Sequence, residues 1–176
     1  MAIPRQMEVA KRTAHISPCG RYRYKLTREF LPFVLTESPL IFCMLNPSTA
    51  DADIDDPTIR RCMGFAKREH KSGIIVVNLY PLRATDPKKL KTHVYLGADE
   101  ADTVNCLSWA DAMLSAPEIV CAWGNHAALD EVQRFMRMAR VGEKPTKLVC
   151  LGVNKNGSPK HPLYVKADAP LVPYTP

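Results

Sequence analysis

None of the six cysteines forms a Cys-x-x-Cys pair, and none clusters with histidine. That absence argues against a zinc or iron–sulfur site, and no metal is expected. Cys43, Cys121 and Cys150 lie inside apolar runs, where cysteine acts as a small hydrophobe. No apolar run approaches the roughly 20 residues that a bilayer-crossing helix needs. Residues 1–12 are polar and basic, so no signal peptide is expected and the expected location is the cytoplasm. In that compartment a disulfide framework is not expected either. There is no internal repeat, no low-complexity segment and no basic tail. The excess of 24 Lys and Arg over 18 Asp and Glu is instead spread through residues 21–28, 60–71, 88–91 and 134–140. A net charge of +6 fits a nucleic-acid partner and an ordinary basic protein equally well.

What is present is a chain of 176 residues, 46% hydrophobic, enough for one domain around one core. Four apolar runs read as buried strands, at residues 39–45, 74–79, 118–123 and 147–151, the second rich in β-branched side chains. Residues 56–71 read as a helix, with Asp55 or Asp56 as cap, Pro57 in the first turn, and Ile59, Cys62, Met63 and Ala66 on one face. A short helix is predicted from Asp86, and longer ones over 99–114 and 127–140. Residues 21–27 alternate in polarity and read as an edge strand, and an extended piece is expected at 164–166. Apolar strands alternating with helices predict an α/β fold. The expected form is a three-layer α/β/α sandwich with a central, mostly parallel four-stranded sheet. The expected layout is a single domain over 1–176, with an N-terminal edge segment (1–38), a core (39–165) and an extended tail (166–176).

Each of the four strands brings polar residues to its carboxyl end, the edge where open parallel sheets hold their ligands. The first delivers Asn46-Pro47-Ser48, because Pro47 lacks an N–H and ends the ladder. The second delivers Asn78, an amide inside an apolar run, where lack of a partner would cost about 1–3 kcal/mol. The third delivers Trp123-Gly124-Asn125-His126 and the fourth leads into Lys160-His161-Pro162-Leu163. Any one of these groups has a bland reading as a strand terminator; four on one edge point to a site, and so to an enzyme. Asp51, Asp53, Asp55 and Asp56 form an acidic loop. Their expected parts are helix capping, solvation and a single carboxylate acting as base or as support for Asn46 rather than a metal site. His161, held among prolines, is the histidine favoured for chemistry; His126 is left open.

These segments, in this order, resemble the uracil-DNA glycosylase superfamily over about residues 39–165. Leu45-Asn46-Pro47-Ser48 is similar to the Gly-Ile-Asn-Pro-Gly motif of its mismatch-specific branch, Val76-Val77-Asn78-Leu79 to its base-reading Leu-Leu-Asn strand, and Ala122-Trp123-Gly124-Asn125-His126-Ala127 to its Leu-Trp-Gly-Ser-Tyr-Ala strand end. Lys160-His161-Pro162-Leu163 is similar to its His-Pro-Ser-Pro loop. More closely, Asn-Pro-Ser-Thr-Ala-Asp, Asp-Asp-Pro-Thr, Asn-Leu-Tyr-Pro-Leu-Arg-Ala-Thr and His-Pro-Leu-Tyr resemble an uncharacterised family of bacterial and phage proteins. The glycosylase resemblance implies hydrolysis of the N-glycosidic bond of a flipped base. In that reading Asn46 orients the water, helped by Asp51, and His161 donates to the base. Asn78 reads the base edge; Pro47 and Ser48 line its pocket. Phe65 and Tyr80 are the candidates for stacking, and Leu163 fills the vacated stack. Arg60, Arg61, Arg83 and Lys160 meet phosphates. Asn46 stands where an Asp stands in another branch, and the last loop lacks its second Ser-Pro. These departures turn the implied substrate away from uracil itself, toward a modified base in nucleic acid, DNA first, or a free nucleoside. A non-catalytic nucleic-acid-binding module and a metal-dependent nuclease are the competing classes. No cofactor, membrane or obligate protein partner is expected.

Overall fold

The computed structural model describes residues 8–31, 38–86, 88, 90, 100–141 and 145–175. Within them the chain forms strands β1 (Val9–Ile16), β2 (Arg23–Phe30), β3 (Leu40–Met44), β4 (Gly73–Asn78), β5 (Glu118–Cys121), β6 (Lys147–Cys150) and β7 (Val172–Pro173). Helices α1 (Pro57–Arg68), α2 (Glu100–Ser115) and α3 (Leu129–Ala139) accompany them. All seven strands join one mixed sheet in the order β1-β2-β4-β3-β5-β6-β7. The four strands read from the sequence lie at its centre and pair in parallel, β4 with β3, β3 with β5, and β5 with β6.

The expectation of four strands is corrected to seven, because antiparallel strands extend both sides. β1 escapes a hydrophobic reading since half of its residues are wet: Ala10, Lys11, Arg12 and His15 are exposed. Charged residues on an outer strand deter edge-to-edge pairing. β1 also moves β2 off the edge expected for it, placing it between β1 and β4. β7 replaces the extended piece expected at 164–166, where Pro162–Tyr164 forms a 3-10 turn instead. Pro173 is tolerated in β7 because, among the described residues, β7 is the last strand of the sheet. Of the short helix expected after Asp86, Pro87 and Lys89 lie outside the described residues; Asp86 Oδ1 does accept from the Lys88 N–H at 2.9 Å.

Every residue of β3 and β4 is buried, which explains their unbroken apolar character. Alternate side chains separate onto two faces. Leu40, Phe42 and Met44 pack with Ile59, Cys62, Phe65 and Ala66 of α1. Ile41 and Cys43 pack with Trp109 and Ala112 of α2 and with Phe135 and Met136 of α3. Trp109 meets Phe135 edge-on at 5.3 Å, a favoured aromatic geometry. α1 starts where Asp56 Oδ1 accepts from the Ile59 N–H at 2.9 Å and Pro57 opens the first turn. Lys67 and Arg68 in its last turn complement the helix dipole. Among the described residues no helix is long and apolar enough to cross a membrane.

Candidate active site

At the carboxyl edge of the parallel strands the polypeptide opens into a cleft of about 410 Å³. β3 runs into it through Met44, Leu45, Asn46 and Ser48; α1 contributes Asp56, Thr58 and Ile59 from its start; Trp123 to His126 follow β5; and Lys160, His161, Leu163 and Tyr164 arrive from the loop after β6. Arg23, at the start of β2, completes this wall. Three of the four expected strand ends therefore converge through side chains that line one cavity.

Asn46 is held by its amino group, which donates to the carbonyls of Ala84 at 2.7 Å and Pro47 at 3.0 Å. Both its N–H bonds are thereby engaged within the chain, and Oδ1 is the atom left to accept from a ligand or water. The same junction is fixed by backbone bonds from Leu79 to Met44, from Tyr80 to Leu45 and from Ala84 to Pro47. On the opposite wall, Gly124 takes the left-handed φ of +72°, which glycine adopts without steric cost. Its N–H donates to Pro159 at 3.0 Å and draws in the His161 loop. A side chain there would approach His161 Cβ at 3.7 Å.

His161 caps the 3-10 turn after it: Nδ1 accepts from the Leu163 N–H at 3.3 Å. That bond requires an unprotonated Nδ1, so in the neutral ring the proton sits on Nε2, which becomes a donor. Burial is the main influence on the imidazole and lowers its pKa; Asp56 acts in the opposite sense, through its charge. The unfolded chain therefore takes up the proton first as pH falls. The stability that goes with neutral His161 is complete above about pH 6.5 and is lost as pH drops toward the lower folded value. Melting temperature is expected to fall more steeply as pH drops below 6.5 in the wild type than in His161→Gln. Calorimetry at matched ionic strength checks this; parallel curves would contradict it.

The remaining sequence candidates divide. Ser48, Lys160 and Leu163 line the cleft with Asn46 and His161; Asp51, Pro47, Phe65, Asn78, Tyr80, Arg60, Arg61 and Arg83 do not. Asp51 uses Oδ1 to accept from the backbone of Asp53 and Ile54, which lowers its pKa. Asp55 is bound by Arg12 and by the fully buried Arg28, at 2.7 Å in the latter case, and Arg28 also donates to the Asp51 carbonyl at 2.6 Å. The acidic loop is thus strapped to β2 by arginine, and among the described residues no three His, Cys, Asp or Glu side chains group to hold a metal. Phe65 is core, covered by Arg61 and Arg68, and Tyr80 accepts from the Ala128 N–H through its hydroxyl. Arg60 donates to the Asp55 carbonyl, and Arg61 clasps the Pro162 and Val165 carbonyls. Arg83 borders a second, open depression with Arg21, which Ser48, Ala84 and Thr85 connect to the cleft.

Asn78 is wholly buried in register with Met44, and neither its Nδ2 nor its Oδ1 has a partner among the described residues. Its backbone carbonyl accepts from Trp109 Nε1 at 2.7 Å and from Asn105 at 3.1 Å. His126, left open by the sequence, lines the cleft.

Sequence reading missed Arg23, Asp56 as a cleft residue, Thr58 and Tyr164. Asp56 was legible only as a cap, since one carboxylate oxygen serves the helix whichever way the other faces. Arg23 was counted only among the basic residues of 21–28, in a strand taken for an edge, and was given no role. No curated protein and no solved structure matches the chain. The family described as a protein of unknown function, DUF1643, matches residues 23–163, a span that begins at the buried arginine of the cleft and ends at the leucine on its rim. The chain that builds this cleft belongs to the DUF1643 family.

Proposed function

We propose that the cleft hydrolyses the N-glycosidic bond of a nucleotide whose base is seated inside it, as a DNA glycosylase-like enzyme. The observation that carries this reading is the meeting of Asn46, Asp56 and His161 on one cavity, with Nδ1 of the imidazole engaged by the Leu163 N–H. The reaction asks for help at both ends of the bond, because the sugar gains oxocarbenium character and the departing base gains negative charge. Asp56 supplies the carboxylate that the first strand lacks: it accepts a proton from the attacking water, which Asn46 Oδ1 helps orient. His161, neutral through burial, donates from Nε2 to the base oxygen on which charge develops. Lys160 adds positive charge beside it.

The glycosylase-like layering of helices about the sheet belongs to the same proposal. So does the part of Leu163 and Tyr164, exposed apolar and aromatic groups at the rim that offer stacking to the neighbours of a displaced base. In this reading the unpaired Asn78 amide is satisfied by the base edge when Met44 gives way. Asn78→Ala is expected to change which base is released while moving the melting temperature by only a few degrees. Removal of an unpaired buried amide offsets the small cavity it leaves. A large fall in melting temperature with unchanged base preference would make Asn78 purely structural.

The test is a panel of single- and double-stranded oligonucleotides carrying uracil, mismatches and modified pyrimidines, read by alkaline cleavage at abasic sites. Cleavage of one member, lost in Asp56→Asn, is the expected result. A second reading, hydrolysis or transfer on free nucleotides, draws on the same cavity and is favoured by one observation, the buried Arg23 in its wall.

A further inference from the structure

Arg23 is only 2% exposed, yet its side chain lines the cleft. Nη1 donates to the Ala50 carbonyl at 2.8 Å, while Nε is buried with no acceptor among the described residues. A buried guanidinium with an unused donor is costly to keep, since an ion out of water needs a partner for both its charge and its N–H groups. Its pKa is pushed down to about 10, chiefly by burial. Of the charges that act on it, Asp56 is attractive, while Arg83 and Arg28 are repulsive. Asp56 already caps α1 through Oδ1, and no ion pair joins Asp56 to Arg23 among the described residues. Arg28 spends its charge on Asp55. Local charge on this wall is therefore positive in excess. The first turn of α1 borders the same space through Thr58 and Ile59, and the start of a helix favours an anion for the same reason.

From these observations we infer that Arg23 is the floor of an anion subsite that takes a phosphoryl oxygen of the nucleotide being processed. Guanidinium is suited to this, because its fork of N–H donors matches phosphate geometry. Ser48 and Thr58 add hydroxyls to the lining of the same cleft, and Lys160 a second positive charge. The subsite deepens the N-glycosidic reading by naming what the substrate must carry beside its base and sugar. It also stands as a binding claim that does not require any bond to be cleaved. The phosphoryl group comes either from a free nucleotide or from the backbone of a strand.

Calorimetric titration of the full chain tests it, with deoxyuridine, deoxyuridine 5′-monophosphate, the trinucleotide TpUpT and inorganic phosphate as probes. The monophosphate is expected to bind about tenfold or more tightly than the nucleoside, the value of one charge-assisted contact. Inorganic phosphate is expected to compete with it. In Arg23→Met, shown to be folded by its melting transition, the preference is expected to vanish. Should that variant fail to fold, Arg23→Lys keeps the charge and removes the fork, and is expected to retain only part of the preference. Tighter binding of the monophosphate than of TpUpT assigns the group to a free nucleotide, and the reverse assigns it to a strand. Equal affinity for nucleoside and monophosphate in the wild type, or a preference untouched by both substitutions, overturns the inference. Base release measured in parallel on the oligonucleotide panel is separate, so failure of the subsite and failure of the hydrolytic reading are told apart.

Discussion

Asp56→Asn is expected to slow base release about 10²–10⁴-fold, the range that a positioned general base supplies. The substitution is selective because asparagine is as good a helix cap as aspartate. The bond from the Ile59 N–H to Oδ1, 2.9 Å in the wild type, is kept by the amide oxygen. What disappears is the proton acceptor that the proposed mechanism requires. Helix content and melting temperature should change little, whereas Asp56→Ala removes cap and carboxylate together and costs about 1 kcal/mol of stability as well. Comparing the two separates the structural part of Asp56 from its chemical part. If Asp56→Asn released base at the wild-type rate, the carboxylate would be a cap alone, and the water would need another base.

His161→Ala is expected to lower the same rate about 10²–10³-fold, as loss of one preorganised donor to a developing oxyanion does. The rate should fall with KM nearly unchanged, because the donor acts where charge develops and not on the bound ground state. His161→Gln is a useful partner variant. It restores a side-chain acceptor for the Leu163 N–H and so preserves the turn, but its amide sits differently and should recover only part of the rate. Normal turnover in the alanine variant would remove His161 from the mechanism.

Much of the architecture was legible. The runs at β3, β4, β5 and β6 are apolar because they are buried on both faces, and their parallel pairing follows from the helices between them. Asp55, Asp56 and Pro57 announced the start of α1, and the structure selects Asp56 of the two possible caps. The outer strands were not legible for the opposite reason. β1 is half wet and β7 is two residues long, so neither leaves a hydrophobic signature. The cleft was read through its loops: Asn46, Ser48, Lys160, His161 and Leu163 were named from strand ends, and all five line it. Phe65 illustrates the limit. An aromatic on a helix looks the same whether it stacks on a ligand or fills the core, and only the packing against Phe42 and Ile59 in one core cluster puts it inside. The arginines illustrate it further, since Arg61 and Arg28 hold carbonyls and a carboxylate of their own chain, which sequence cannot tell from phosphate contact.

The central claim is that residues 46, 56 and 161 act together on one N-glycosidic bond. It is tested most directly by single-turnover assay of free base, separated chromatographically, from wild type, Asp56→Asn, His161→Ala and the double variant. The account predicts base released by the wild type from at least one uracil-like or modified nucleotide, a large loss in each single variant, and a double variant little worse than the slower single. No free base from any substrate, or release that neither substitution slows, would contradict it.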